Sequence, residues 1–121
     1  MKIKETDVRI GNYIATANRP YFRVTSEVMT DIVLEKIEAV GIPLTPEVLE
    51  KCGFVKKLWF TGTPINEDIE TFVIDGFAIM VMTNGSYRLF DYNSNMQPFR
   101  YIHQLQNLYF ALTGTELQIT L

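Results

Sequence analysis

Three groups of residues in this chain have the types needed for chemistry. His103 and Cys52 are the single histidine and the single cysteine, and together they could form a thiolate–imidazole dyad for nucleophilic attack. Glu67, Asp68 and Glu70 form an acidic triplet whose oxygens could hold a divalent cation. Tyr87, Phe90 and Tyr92, with Arg88 and Arg100 nearby, could make a platform on which nucleic-acid bases stack.

Each group also has a plainer reading. One histidine and one cysteine cannot supply the paired spacings of a zinc site, and Cys52, between apolar Val48-Leu49 and Gly53, reads as a buried helix-end residue. The acidic triplet lacks the Asp-x-Asp-x-Asn-Gly spacing of a calcium loop and reads as solvated. There is no Gly-rich phosphate loop and no Gly-x-Ser-x-Gly, and Asn84-Gly85-Ser86, a glycosylation sequon in form, reads as a hairpin turn. The net charge of −3 is wrong for a protein driven onto phosphates, and the tightest basic group is only Lys56-Lys57 with Lys51 nearby. The chain is therefore expected to be non-enzymatic, with no catalytic residue, bound metal or cofactor, and nucleic acid is disfavoured as its partner.

At 121 residues, 47% apolar and 21% charged, residues 1–121 read as a single folded domain. The first residues, Met1 to Asp7, carry early acids and no apolar run, and nothing in the chain has the length of a membrane-spanning helix. With one cysteine no internal disulfide forms, which fits a reducing compartment, so a cytoplasmic protein without membrane contact is expected.

The elements that would position these residues can be read from pattern. Val8 to Ile14, Tyr21 to Val28 and Ile32 to Val40 read as three short strands, with bends at Gly11-Asn12, Asn18-Arg19-Pro20 and Thr30-Asp31. They suggest a small, strongly bent antiparallel sheet, for which an SH3-like arrangement is one form. Thr45-Pro46-Glu47 has the residue types of a helix start, and Gly53-Phe54 those of a helix end with a folded-back apolar contact. Leu58-Trp59-Phe60 reads as a further strand. Asp75-Gly76 and Asn84-Gly85 favour two-residue hairpin turns and define a three-stranded meander between Thr71 and Tyr92, with Phe72 opposite Ile79 and Ile79 opposite Phe90. Glu116 to Leu121 alternates like a terminal edge strand.

From Tyr101 to Gly114 the spacing predicts a long helix. Its core stripe is Tyr101, Leu105, Leu108 and Leu112, widened by Ile102 and Tyr109, and it is expected to pack on the meander. The opposite face carries His103, Gln106, Asn107 and Phe110, with no charged residue. A large aromatic on an uncharged polar face is either tucked under a neighbouring segment or presented to a partner.

The run His103 to Gly114, HQLQNLYFALTG, together with Arg9-Ile10-Gly11-Asn12-Tyr13 and Ile42-Pro43-Leu44-Thr45-Pro46-Glu47, resembles the landmarks of a group of small uncharacterised proteins of gut bacteria and their phages. The landmarks occur in the same order and span most of the chain; Lys57 to Asn95 does not match. The resemblance implies a phage or prophage setting and supplies no catalytic residue. The expected function is an accessory protein that binds a protein partner or itself through the face of His103, Gln106, Asn107 and Phe110. The alternative is a nucleic-acid-binding module using the N-terminal sheet.

Overall fold

The computed structural model describes residues 3–59, 69–82, 84–90 and 97–121. Among them the chain is α+β, with antiparallel sheets of two and four strands and three α-helices, the last of them C-terminal. Two compact units emerge: residues 1–44 with 101–117, and residues 45–100 with 118–121.

In the first unit a short 3-10 turn, Glu5–Asp7, leads through a bend at Gly11 into a hairpin of β1 (Tyr13–Thr16) and β2 (Arg19–Arg23). Tyr13 lies opposite Arg23 and Ile14 opposite Phe22, and the register slips before the Thr16–Arg19 pair. A helix, α1 (Ser26–Val33), takes the place of the end of the second expected strand, the expected turn at Thr30-Asp31 and the start of the third expected strand. Thr25 Oγ1 accepts the Val28 N–H at 3.3 Å as N-cap, and Val28, Met29 and Ile32 then fall on one helical face. Of the strand expected over Ile32 to Val40 only a single bridge survives, Val40 against Ala15. Ile3, Val8, Ile14, Phe22, Val24, Ile32 and Ala39 form the buried cluster of this unit.

The long helix is α3 (Ile102–Thr113), ended by Gly114 in the left-handed region. Expected on the meander, it makes its observed hydrogen bonds within the first unit. The Ile102 N–H donates to the Ile42 carbonyl at 2.9 Å, and Tyr101 pairs with Pro43. Gly41 lies so close to the Tyr101 ring that a Cβ there would meet ring carbons at 2.5 Å, so only glycine fits.

The second unit opens with α2 (Pro46–Lys51), built as its residue types foretell. Thr45 Oγ1 accepts the Val48 N–H at 3.2 Å, Pro46 fills the first turn, and Glu47 faces the positive end of the dipole. Gly53, at φ 97°, donates to Glu50, and Phe54 donates to Leu49, the two bonds of a Schellman ending. Phe54 then turns its ring edge-on to Phe77, centroids 6.4 Å apart.

A four-stranded sheet follows in the order β3 (Val55–Trp59), β4 (Ile69–Ile74), β5 (Phe77–Val81), β6 (Tyr87–Leu89). Asp75 and Gly76 both have positive φ, as a type I′ turn requires, and Phe72 pairs with Ile79. The second turn differs from expectation. Gly85 donates to the Met82 carbonyl, and Met82 donates to Ser86, so the connection is longer than two residues and Ile79 faces Leu89 rather than Phe90. That one-residue slip turns Tyr87 and Leu89 onto the face of Phe72, Phe77 and Ile79. Glu116 to Leu121 forms no strand.

Candidate functional site

The four residues proposed from the α3 face do not form one open surface. His103 is fully buried and Gln106 is 2% exposed, Asn107 is half-buried, and Phe110 alone stands out at 41%. The helix is turned about one residue from the predicted stripe: Ile102, Leu105 and Tyr109 are buried, Leu108 is half-buried and Leu112 is exposed.

What covers the uncharged face is the chain's own 7–13 segment, held by amides. Gln106 Oε1 accepts the Tyr13 N–H at 2.8 Å, and its Nε2 donates to the Gly11 carbonyl at 3.1 Å. Asn107 Oδ1 accepts from Asn12 Nδ2 at 2.9 Å, and its Nδ2 donates to the Asp7 carbonyl at 3.3 Å. Asn12 Oδ1 in turn accepts the Arg9 N–H at 2.9 Å. An amide side chain offers both a donor and an acceptor, so two adjacent amides can satisfy a non-repetitive stretch of backbone that has no ladder of its own. A charged side chain here would have one role too few, which is why the face carries none.

Arg9 closes the edge of this clasp. Its guanidinium takes Glu116 in a two-pronged ion pair, donates to the Gln106 carbonyl at 3.3 Å, and lies over the Phe110 ring, 4.5 Å from its centroid. Phe110 is thus covered on one side by a cation and open on the other.

His103 sits in the first turn of α3, its ring stacked on Tyr101 at 5.9 Å. Both ring nitrogens are buried, and among the described residues neither has a hydrogen-bond partner. Burial pushes its pKa below the ordinary histidine value, and the carboxylate of Asp7 opposes this only in part. Burial thus favours the neutral imidazole and shields the ring from solvent.

The other candidates are placed as follows. Cys52 is buried in the second unit, where its thiol approaches the Thr120 carbonyl at 3.8 Å; burial raises its pKa, the Thr120 contact acting the other way. A buried thiol of raised pKa is a poor nucleophile. Of the acidic triplet, Glu67 and Asp68 lie outside the described residues, and Glu70 pairs with Lys56 at 3.2 Å. Among the described residues no His, Cys, Asp and Glu group has the arrangement of a metal site. Of the stacking platform, Tyr92 lies outside the described residues. Tyr87 is buried and stacked on Phe99 in the sheet, its hydroxyl pKa raised first by burial and then by Glu70. Arg100 is tied to the Asn84 carbonyl at 3.0 Å.

Sequence reasoning missed Asp7, Arg9, Gly11, Asn12 and Tyr13 as partners of α3, and Glu116 as the partner of Arg9. The signal was present in the absence of charge on the helix face. The three landmark stretches have a common structural role: Arg9 to Tyr13 and Gln106-Asn107 bond each other, and Ile42 and Pro43 hold the start of the same helix. No family model, curated protein or solved structure matches the chain. Among the described residues no helix is long and apolar enough to cross a membrane.

Proposed function

We propose that the chain is a small non-enzymatic accessory protein that acts by binding another protein, in the phage or prophage setting and cytoplasmic location that the landmarks and the lone cysteine suggest. One observation carries this reading. The polar face of α3 is consumed by the chain's own 7–13 segment, yet the same unit leaves large apolar side chains outward, among them Ile10, Val33, Leu34, Phe110 and Leu112. Single exposed aliphatics are ordinary, but an exposed aromatic already sandwiched on one face by arginine offers a partner a ready half-built contact. The test is affinity capture from host lysate with the full chain against Ile10→Ser/Phe110→Ser, both at exposed positions. A specific protein held by the parent chain and lost by the variant, with unfolding unchanged, is expected. Recovery of no specific protein by the parent chain would end the reading.

A second reading, nucleic-acid binding on the β1–β2 hairpin, is favoured by exposed Tyr21 and Arg23 on β2. An SH3-like arrangement belongs to this reading. It predicts salt-sensitive binding of single-stranded oligonucleotides, and no binding at low salt removes it.

A further inference from the structure

The C-terminal end of α1 violates three local rules within a few residues. First, Val33 and Leu34 are adjacent and 55% and 57% exposed. Second, the helix ends in a Schellman arrangement, Glu35 donating to Ile32 and Lys36 to Asp31, which puts Glu35 in the left-handed region at φ 57°, a position that favours glycine. Third, the negative end of the helix dipole carries acids. Residues 31–38 hold Asp31, Glu35 and Glu38 against the single base Lys36, the last turn has no basic residue, and among the described residues none of these carboxylates makes an ion pair.

Each departure weakens the isolated fold, and two of them, the exposed aliphatics and the unpaired acids, would be relieved by one kind of contact. Sequences that are locally consistent elsewhere tend to break such rules where another requirement is met. Here α2, with Gly53 at its left-handed position and Lys51 in its last turn, keeps the rules that α1 breaks. A surface bringing aliphatic or aromatic side chains flanked by Lys or Arg would bury Val33 and Leu34 and neutralise the acids at the helix end.

Resting on the protein-binding reading above, we infer that the C-terminal end of α1, with exposed Val33 and Leu34 among Asp31, Glu35 and Glu38 in the sequence, is a docking surface for a basic, apolar segment of a partner protein. The opposing charge selects against nucleic acid and against another acidic copy of the same surface.

The test is a nuclear magnetic resonance titration of the full chain with a short peptide of alternating leucines and lysines, and with its leucine–glutamate counterpart. The lysine peptide is expected to shift the amides of residues 27–38, less so at high salt, while the glutamate peptide leaves them in place. Val33→Ser/Leu34→Ser is expected to weaken the response about tenfold or more while the rest of the spectrum stays folded. Equal response to both peptides, no response of 27–38, or concentration-dependent shifts there without peptide, which would make a second copy the occupant, each overturns the inference. A response confined to Ile10 and Phe110 overturns this surface but leaves the broader protein-binding reading standing, which the capture experiment decides separately.

Discussion

A neutral imidazole has one donor and one acceptor, and His103 has both buried with no partner among the described residues. Protonation would add a charge to that site, so the folded chain resists the proton that the unfolded chain accepts near the ordinary value of about 6.5. Between that value and the lower folded one the unfolded state binds more protons, so stability falls as pH drops through this window and is unaffected by this group above it. His103→Phe keeps a ring on Tyr101 and removes the titration, so its midpoint in urea should lose this part of the acid dependence; an unchanged slope would show that another group governs it. Gln106 carries the opposite lesson, a buried polar group with both ends used. Gln106→Ala leaves the Tyr13 N–H and the Gly11 carbonyl unpaired and should cost about 2–4 kcal/mol in equilibrium unfolding. Neither burial could be read from the sequence, because glutamine and histidine on a helix look solvent-facing until the segment covering them is known.

The helix ends set up two opposed predictions at the scale of the element. Gly53 is left-handed, and a Cβ there would meet the Ile74 side chain at 3.3 Å, so Gly53→Ala should destabilise by about 1–2 kcal/mol. Glu35 is left-handed without being glycine, so Glu35→Gly should stabilise by about 1 kcal/mol, measured as a raised thermal midpoint. The elements legible in advance were those with discrete chemical signals: Thr45 and Pro46 for α2, Gly53-Phe54 for its end, Asp75-Gly76 for the β4–β5 turn. α1 was read as a strand end, a turn at Thr30-Asp31 and a strand start, because the alternation up to Val28 and the β-branched Ile32 and Val33 suit a pleated surface, and the quieter signal of Thr25 as a cap, with Val28, Met29 and Ile32 behind it, was outweighed. Asn84-Gly85 marked a turn correctly, but its length was set by Asn84 Oδ1 accepting from the Ser86 N–H, a bond that pattern alone does not reveal.

For the whole molecule, the amide clasp binds residues about a hundred positions apart, and its loss should be felt unevenly. In Gln106→Ala the amides of Ala15, Val24 and Val40 should exchange faster, while those of Phe72 and Ile79 keep their protection; matched acceleration in both sets would show a single cooperative unit. The α+β class was legible from strand, turn and helix-end signals, but the split into two units was not, since it depends on where α3 is held, and Gln106 and Asn107 help to make that choice by bonding residues 7–13. That choice has a consequence for how the chain is made. The first unit is interrupted: its opening 44 residues are synthesised before residues 45–100, which take about 3–11 s at ~5–20 residues per second, and only then do Gln106 and Asn107 follow. Throughout that interval the backbone groups of Gly11 and Tyr13 have no partner in α3, so the nascent hairpin depends on water or a chaperone until the last helix appears.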